Sequence, residues 1–355
     1  MWEAVERTEG VYDEEYLNKV EDLINALGEQ GIYTLVDAHQ DVFARTMCGE
    51  GVPDFYAKEA VGRHPTCVNV VIDRVLKPIY EKLGVCISIK DYEFEFDEND
   101  DPVIADCQTQ DFYVYYSSPE SLRAFQALYT NKNGIRDKFV AYWDRVSLRF
   151  ANNPYVVGYD PLNEPGLTDP YPDPTLMLPG HMDREYLSPM FAEVFEKYYA
   201  NSDKSVMWFE PMSTPDEIGI PPGYVFPVGY DTPPGGEIGS ANHVLNDHTY
   251  CCQLSPLMCA TGEPREDKAA ECLAFHRNRI HTRALDAERL GIPLHITEFG
   301  ACLTEGPCTQ EITQVADVCD ENLVGWAYWE FKTYKDLTTS ASTGAEGFYN
   351  HDGSL

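Results

Sequence analysis

The chain lacks several features that would assign it to a membrane or to a nucleic acid. No apolar run approaches the roughly 18 residues of a spanning helix, and no internal repeat or low-complexity tail is present. Basic residues are few: 26 Lys and Arg stand against 59 Asp and Glu in 355 residues, a formal net charge of −33. Because this charge repels phosphate backbones and anionic membranes, we expect no nucleic acid partner, no transmembrane segment and only local or micellar contact with lipid.

Processing and metal-binding signals are also missing. No basic segment followed by an apolar stretch precedes the folded-looking sequence, so we expect that a signal peptide is not present in this chain. No Asn-x-Ser/Thr acceptor for glycosylation occurs. The cysteines show no paired CxxC spacing, and the histidines do not form a ligand spacing on one helix. We therefore predict neither a metal site nor a cofactor.

Cysteine, in contrast, is abundant. Eleven cysteines in one chain favour disulfides and an oxidising compartment, so a secreted protein in an extracellular, lysosomal or digestive setting is expected. Four of them, Cys48, Cys67, Cys86 and Cys107, fall in a loop-like region that bridges would hold together.

Helical and strand-like segments alternate along most of the chain. Apolar residues at helical spacing predict helices over 13–31, 121–150, 186–200 and 265–290. Apolar runs that end in polar residues predict six strands, at 32–36, 155–159, 205–209, 244–248, 294–297 and 323–329. The alternation predicts the α/β class and a TIM (β/α)8 barrel that lacks its first one to two strands.

One catalytic barrel domain over 1–355 is expected, with a cysteine-containing insertion at about 46–120. In that insertion the alternation stops, and prolines and an acidic run predict either a wall of the active-site cleft or a disulfide-linked surface excursion. A proline- and glycine-rich stretch over 211–239 is a candidate for the opposite wall.

Two glutamates stand at the polar ends of predicted strands, which is the display that a glycosidase needs. Glu164 lies between Asn163 and Pro165, and the proline favours an extended backbone at Glu164. We interpret Glu164 as the acid/base and Glu298 as the nucleophile. A separation of about 5 Å between them would give retention of configuration, and roughly 6.5–9.5 Å would give inversion.

Further side chains after the same strands are candidates for binding sugar. His39 and Asp41 are predicted to hold hydroxyl groups, and Asn163 is predicted to hold the hydroxyl next to the reacting carbon. The remaining candidates are Tyr250 as a hydrogen-bond donor to the nucleophile, His248 to tune its charge, Trp329 as an aromatic face for a sugar ring and Lys332 as a hydroxyl contact.

These motifs resemble glycoside hydrolase family 5, in the cellulase-like clan A of retaining (β/α)8 enzymes, and within it the endoglycoceramidases. The resemblance covers nearly the whole chain. The residues that carry it are DAHQD at 37–41, YDPLNEP at 159–165, WFEP at 208–211, HTY at 248–250 and TEFG at 297–300.

The resemblance implies a hydrolase that cleaves the β-glycosidic bond between the oligosaccharide and the ceramide of a glycosphingolipid by double displacement. Such an enzyme acts in glycosphingolipid catabolism, and thus in carbohydrate and lipid metabolism, as a monomer on micellar or membrane-presented substrate. The aromatic segments 112–116 and 224–226 would line a groove for the lipid or belong to the core. The first sugar would be held by Asn163, His39, Asp41, Tyr250 and Trp329.

The chain also departs from the family pattern. The family's first strand, most of its second strand and a C-terminal β-sandwich have no counterpart, so an N-terminally truncated barrel is expected. Another family 5 β-glycosidase, an endo-β-glucanase or a steryl β-glucosidase, would use the same two glutamates. An inactive glycolipid-binding fragment is the alternative from a different class.

Overall fold

The computed structural model describes residues 1–62, 65, 67, 77–79, 82, 86–110, 112–212, 224–250, 259–260, 263–264, 266–300, 307–332, 347–349 and 353–354. Residues 213–223 of the stretch predicted as a cleft wall, and parts of the predicted insertion, lie outside these ranges.

The centre of the fold is a parallel sheet of six strands. The described strands are β1 (Thr34–Asp37), β2 (Val156–Asp160), β3 (Met207–Phe209), β4 (His243–His248), β5 (Cys259–Ala260), β6 (Glu263–Pro264), β7 (Leu294–Glu298) and β8 (Gly325–Trp326). The order of the six-stranded sheet is β1-β2-β3-β4-β7-β8, which follows the order of the chain, and each neighbouring pair is parallel. The short strands β5 and β6 form a separate antiparallel pair. The predicted α/β class is confirmed, with six parallel strands in an incomplete barrel.

Helices occupy most of the connections between these strands. Of the described helices, none is both long enough and apolar enough to cross a membrane. The helices are Trp2–Val5, Glu14–Glu29, Asp54–Val61, Ile104–Cys107, Pro119–Tyr129, Ile135–Phe150, Ser188–Asn201, Ala269–Leu290 and Pro307–Glu321.

Three element predictions need correction. The helix predicted over 121–150 is two helices, because Asn131, Asn133 and Gly134 adopt positive φ and break it. The strand predicted over 323–329 is confined to two residues, and Leu323 before it has a φ of +56°. The helix Pro307–Glu321 was missed, although Ile312 and its apolar neighbours three and six residues on mark one helix face.

Aromatic packing connects the helices to the loop that carries the first glutamate. The helix Ile135–Phe150 buries Trp143, whose ring packs edge-on against Tyr198 with ring centres 5.2 Å apart. The indole N–H of Trp143 donates to the carbonyl of Pro161 at 2.9 Å. Because Pro161 lies three residues before Glu164, this hydrogen bond fixes the start of the loop that carries Glu164 to the helix Ile135–Phe150.

Two disulfides cross-link the predicted insertion. Cys48 is bonded to Cys107, and Cys67 is bonded to Cys86, which confirms the expected bridges among these four cysteines. Among the described residues, Cys319 is a buried free thiol.

Candidate active site

Two carboxylates and an imidazole meet at the carboxyl end of the sheet. Glu164 lies in the loop after β2, Glu298 ends β7, and His248 ends β4. The strand register pairs His248 with Glu298, so that the two residues lie side by side at the carboxyl ends of neighbouring strands. A carboxylate oxygen of each glutamate and a ring nitrogen of His248 lie within 4.8 Å of one another. The structure therefore brings the two predicted acids into one cluster.

His248 is the cation between the two acids. Its Nδ1 lies 2.9 Å from Glu164 Oε1 and 3.4 Å from Glu298 Oε2, and its side chain is 4% exposed. Burial lowers the pKa of His248, but the surrounding carboxylates outweigh burial and raise the pKa well above its usual range. The side chain is therefore an imidazolium that can donate both of its N–H groups.

Glu210 adds a third carboxylate that the sequence analysis did not select. It follows β3 and is fully buried, and its Oε2 accepts the backbone N–H of Glu164 at 3.2 Å. Its Oε1 lies 3.5 Å from His248 Nε2. Burial raises the pKa of Glu210 well above its usual range, while His248 opposes this rise and the neighbouring carboxylates add to it. The available signal was its position directly after an apolar strand, in the motif WFEP.

Glu298 receives a hydrogen bond from a tyrosine. The Tyr250 hydroxyl donates to Glu298 Oε2 at 3.1 Å. Burial raises the pKa of Glu298 to about 7, with the imidazoles of His248 and His39 opposing the rise and neighbouring carboxylates adding to it. The ionised form of Glu298 that could act as a nucleophile is therefore populated mainly above this pH.

The backbone of Glu164 is strained. Its φ is +38°, in the left-handed region, so the prediction of an extended backbone before Pro165 was wrong. The physical reason is that two side chains fix the peptide groups around this residue. Glu210 accepts the N–H of Glu164, and Gln40 Nε2 donates to its carbonyl at 3.0 Å. A non-glycine residue in this region costs on the order of 1–3 kcal/mol and persists where its surroundings over-determine it.

His39 lies between two aspartates just after β1. Its Nδ1 is 3.0 Å from Asp37 Oδ2, and its Nε2 is 3.4 Å from Asp41 Oδ2. Burial lowers the pKa of His39, but the two aspartates raise it well above its usual range. The imidazole stacks on Trp329 with ring centres 4.9 Å apart and planes 6° apart. A sugar ring would therefore have to contact the opposite face of the indole.

The two remaining candidates, Asn163 and Lys332, differ in their position relative to the two glutamates. Asn163 is buried, and its side-chain amide donates to the carbonyl of Gln40 at 3.0 Å, directly beside the acidic cluster. Lys332 lies beyond Trp329, where its backbone bridges to Tyr349. Among the described side chains, none of the hydrogen bonds or ion pairs joins Lys332 to the other candidates.

Tyr116 also reaches the site, although the sequence analysis placed its segment only in a groove or in the core. Its hydroxyl donates to Asp41 Oδ1 at 3.3 Å, and its ring stacks on Phe125. In the same segment Tyr115 is buried and Tyr113 is half exposed. The use of 112–116 and 224–226 as a lipid groove stays a prediction.

A buried hydrogen-bonded chain supports the residues after β4. Thr249 Oγ1 lies 2.7 Å from His276 Nδ1, and His276 Nε2 lies 2.9 Å from Glu311 Oε1. These partners come from the helices Ala269–Leu290 and Pro307–Glu321. Two helices therefore anchor the residue that stands between His248 and Tyr250.

Glu164, His248 and Glu298 are also the group of described side chains whose ligand atoms are close enough to share a metal ion. An imidazolium, however, has no free lone pair for a metal, and the surrounding carboxylates keep His248 protonated. In the protonated state this cluster offers acidic and basic groups for proton transfer.

The chain is similar to known glycoside hydrolases. A family model for cellulase (glycosyl hydrolase family 5) matches residues 232–335, which include Glu298. The endoglycoceramidase of Cyanea nozakii is 26% identical over 331 residues, which are 92% of this chain and 56% of that protein. The endoglycoceramidase of Hydra vulgaris is 26% identical over 325 residues, which are 91% of this chain and 53% of that protein. The chain thus spans a little over half of the length of these relatives.

Solved structures share the fold. The ganglioside GM3 complex of endo-glycoceramidase II from Rhodococcus sp. superposes with a TM-score of 0.68 at 21% identity, covering 100% of this chain and 67% of that chain. The iminocyclitol complex of the same enzyme gives a TM-score of 0.68 and covers 66% of that chain. The predicted resemblance to glycoside hydrolase family 5 and to its endoglycoceramidases is confirmed.

Proposed function

We propose that this chain, which resembles glycoside hydrolase family 5, is the catalytic part of a retaining glycosidase that separates the oligosaccharide of a glycosphingolipid from its ceramide. The observation that carries the proposal is the approach of carboxylate oxygens of Glu164 and Glu298 to within 4.8 Å. Carboxyl groups about 5 Å apart are typical of retaining enzymes, whereas inverting enzymes need roughly 6.5–9.5 Å to admit a water molecule.

In the first step an ionised Glu298 attacks the anomeric carbon while Glu164 gives its proton to the glycosidic oxygen. The bond between this carbon and oxygen breaks, its electron pair stays on the oxygen, and the ceramide leaves as an alcohol. The sugar is then joined to Glu298 as an ester. The Tyr250 hydroxyl, 3.1 Å from Glu298 Oε2, holds the carboxylate before the attack.

In the second step water replaces the ester. Glu164, now ionised, takes a proton from the water, whose oxygen attacks the anomeric carbon and releases Glu298 as a carboxylate. Both steps leave net negative charge in a buried cluster. The His248 imidazolium, 2.9 Å from Glu164 Oε1 and 3.4 Å from Glu298 Oε2, offsets that charge in each state.

The lipid part of the proposal is supported by the two relatives named endoglycoceramidase, each matched over more than nine-tenths of this chain. The two disulfides support an oxidising setting, secreted or lysosomal. A monomeric enzyme made as one barrel domain with an insertion at about 46–120 fits this proposal.

A second candidate is a family 5 enzyme that acts on another aglycone. The family model that matches 232–335 is described as cellulase, which favours an endo-β-glucanase over a steryl β-glucosidase as this alternative. Both would use the same carboxylate pair, so the products must distinguish them.

The test is incubation of the protein with a ganglioside that carries a fluorescent ceramide, in mild detergent, with the products separated by chromatography. We expect free ceramide and an intact oligosaccharide. Glu298→Ala should abolish turnover while glycolipid binding remains, because no nucleophile is left. Glu164→Ala should slow both steps by about 10²–10⁴-fold, and azide should rescue it through a β-glycosyl azide.

Glu196→Ala, an exposed residue on the helix Ser188–Asn201, is the control and should keep the full rate. Wild-type rates in the Glu298 or Glu164 variant would contradict the assignment of these residues. Release of single sugars, or cleavage of glucan but not of glycolipid, would favour the second candidate. Binding without any turnover would favour the glycolipid-binding fragment.

A further inference from the structure

Gln40 lies between the candidate sugar-binding residues His39 and Asp41, and its side chain points into the protein. The residue is 1% exposed. Its Nε2 donates to the carbonyl of Asn163 at 2.7 Å and to that of Glu164 at 3.0 Å, and its Oε1 accepts the N–H of Phe43 at 2.8 Å. In return, Asn163 Nδ2 donates to the Gln40 carbonyl at 3.0 Å. Two loops that are far apart in sequence are thus joined by hydrogen bonds in both directions, from the side-chain amide of each loop to backbone carbonyls of the other.

Both of these loops are strained. Glu164 has a φ of +38°, and Val42 and Phe43 have φ values of +53° and +74°. Val42 and Phe43 are completely buried, so no solvent contact relieves them. Residues with such φ values cost on the order of 1–3 kcal/mol each and persist where packing and hydrogen bonds hold them. The side-chain amide of Gln40 forms hydrogen bonds with the carbonyl of Glu164 and with the N–H of Phe43, and so joins both strained segments.

The backbone around Gln40 leaves it little freedom. A Cβ placed on Gly51 would lie 2.4 Å from Gln40 Cβ and 2.6 Å from its Cα. Only a glycine at 51 allows this close packing, because any other residue would push Gln40 away. The side chain is therefore anchored at both of its ends, by packing at its Cβ and by hydrogen bonds at its amide.

We propose that Gln40 is the positioning residue for Glu164 as the general acid, an inference that rests on the proposed function. The amide holds the carbonyl groups on both sides of the Glu164 Cα, and these set the direction of its Cα–Cβ bond. A general acid must lie within about 2.6–3.2 Å of the oxygen that it protonates. A misplacement of about 1 Å costs roughly 10²-fold in rate. Gln40 thus acts on the reaction through Glu164 and not by contact with substrate.

The test compares leaving groups. Gln40→Glu keeps the size of the side chain and an oxygen facing the Phe43 N–H, and it replaces the amide N–H donors to the two carbonyls by a carboxyl group, which has no donor when it is ionised. The probes are 2,4-dinitrophenyl β-lactoside and phenyl β-lactoside, which carry the same lactosyl group and differ only in the leaving group. Dinitrophenolate leaves without a proton, whereas phenol needs the acid. We expect kcat/KM for the phenyl lactoside to fall by about 10–100-fold and that for the dinitrophenyl lactoside by less than about threefold.

The ratio of the two kcat/KM values does not depend on how much of the protein is folded, because the active concentration cancels. Asn242→Asp is the matched control. Asn242 Nδ2 also donates to two backbone carbonyls, those of Asp203 at 3.0 Å and Ser205 at 2.8 Å, at the opposite end of the sheet. The same change of an amide to a carboxylate there should leave the ratio unchanged.

Gln40→Met, which removes the polar contacts of the side chain without adding a charge, is the deciding variant and should change the ratio in the same direction. A change in Gln40→Glu alone would report the added charge beside Glu164 and would overturn the positioning role. An unchanged ratio in both Gln40 variants, or an equal change in the Asn242 control, would overturn the positioning role. Absence of hydrolysis of both lactosides and of glycolipid by the unaltered protein would instead contradict the proposed function, and this inference with it.

Discussion

The ionisation of Glu298 depends on charges of both signs. Burial raises its pKa to about 7, the imidazoles of His248 and His39 oppose this, and the carboxylates of Glu164 and Asp41 add to it. Since His39 Nε2 and Asp41 Oδ2 lie 3.4 Å apart, the two residues form a pair whose members act on the pKa of Glu298 in opposite directions. Removing one member at a time should therefore separate their effects.

We predict that His39→Gln and Asp41→Asn shift the acid limb of the pH profile in opposite directions. With Glu298 as the proposed nucleophile, the limb of kcat/KM reports ionisation of Glu298 in the free enzyme, and activity rises as pH passes through this pKa. Loss of the His39 cation leaves Glu298 harder to ionise, so the limb moves to higher pH. Loss of the Asp41 anion makes ionisation easier, so the limb moves to lower pH.

The measurement is kcat/KM for an aryl β-lactoside across the pH range at which the protein stays folded. Both variants should also bind sugar less well, but a loss of kcat/KM that is equal at every pH does not move the acid limb. Shifts of the same sign in the two variants would contradict the electrostatic account. Glu196→Gln is a suitable control, because it removes one charge from an exposed position on the helix Ser188–Asn201.

The strands and the insertion contribute to the site in different ways. Each candidate acid follows or ends a strand, and the parallel register brings these ends together, as in the pairing of His248 with Glu298. The predicted insertion instead contains two disulfide cross-links. Cys48, which is completely buried with a φ of +63°, is bonded to Cys107, and the two positions are separated by 59 residues.

We predict that Cys48→Ala/Cys107→Ala lowers the free energy of unfolding by about 4 kcal/mol. In the chain-entropy account, a cross-link stabilises a protein by restricting its unfolded state, and the effect grows with the length of the closed loop. Unfolding in urea, followed by tryptophan fluorescence, measures the loss.

Cys67→Ala/Cys86→Ala is the matched comparison, since this bridge spans 19 residues. It should cost less, about 3 kcal/mol. A larger loss from the shorter bridge would show that native packing around Cys67 and Cys86, and not loop length, controls the stability of the insertion.

For the chain as a whole, the formal net charge of −33 would oppose an approach to the anionic surface of a micelle or membrane that carries the proposed substrate. A lipid substrate is presented on a micelle or a membrane, and an anionic surface repels a strongly acidic protein. Salt screens this repulsion, because the Debye length falls from about 30 Å at 0.01 M to about 8 Å at 0.15 M ionic strength.

We predict that added salt accelerates hydrolysis of glycolipid in anionic bile-salt micelles and has little effect in nonionic micelles. The measurement is the initial rate of ceramide release at low and at physiological ionic strength, with equal substrate in both detergents. A water-soluble aryl lactoside is the control, and its rate should not change with salt. Equal salt dependence in both micelles would contradict a role for net charge.

Much of the architecture was readable along the chain. Six strands with polar ends, the pair Glu164 and Glu298, and disulfides among four cysteines were all predicted, because strand periodicity, motif position and cysteine spacing are local properties. The element boundaries that were predicted wrongly also have local causes, namely single residues whose backbone conformation ends a helix. Asn131 and Gly134, for example, divide a helix whose apolar pattern continues on both sides of the break.

Contacts between distant segments were decided only by the folded structure. Gln40 bonds to Glu164 across 124 residues, and Glu210 bonds to the Glu164 N–H across 46. Neither contact leaves a periodic signal, because it depends on which strands become neighbours and in which register. Sequence could name the two acids, since a carboxylate at a strand end is a local pattern. Their distance, their charges and the strained backbone of Glu164 arise from neighbours that the chain brings together on folding.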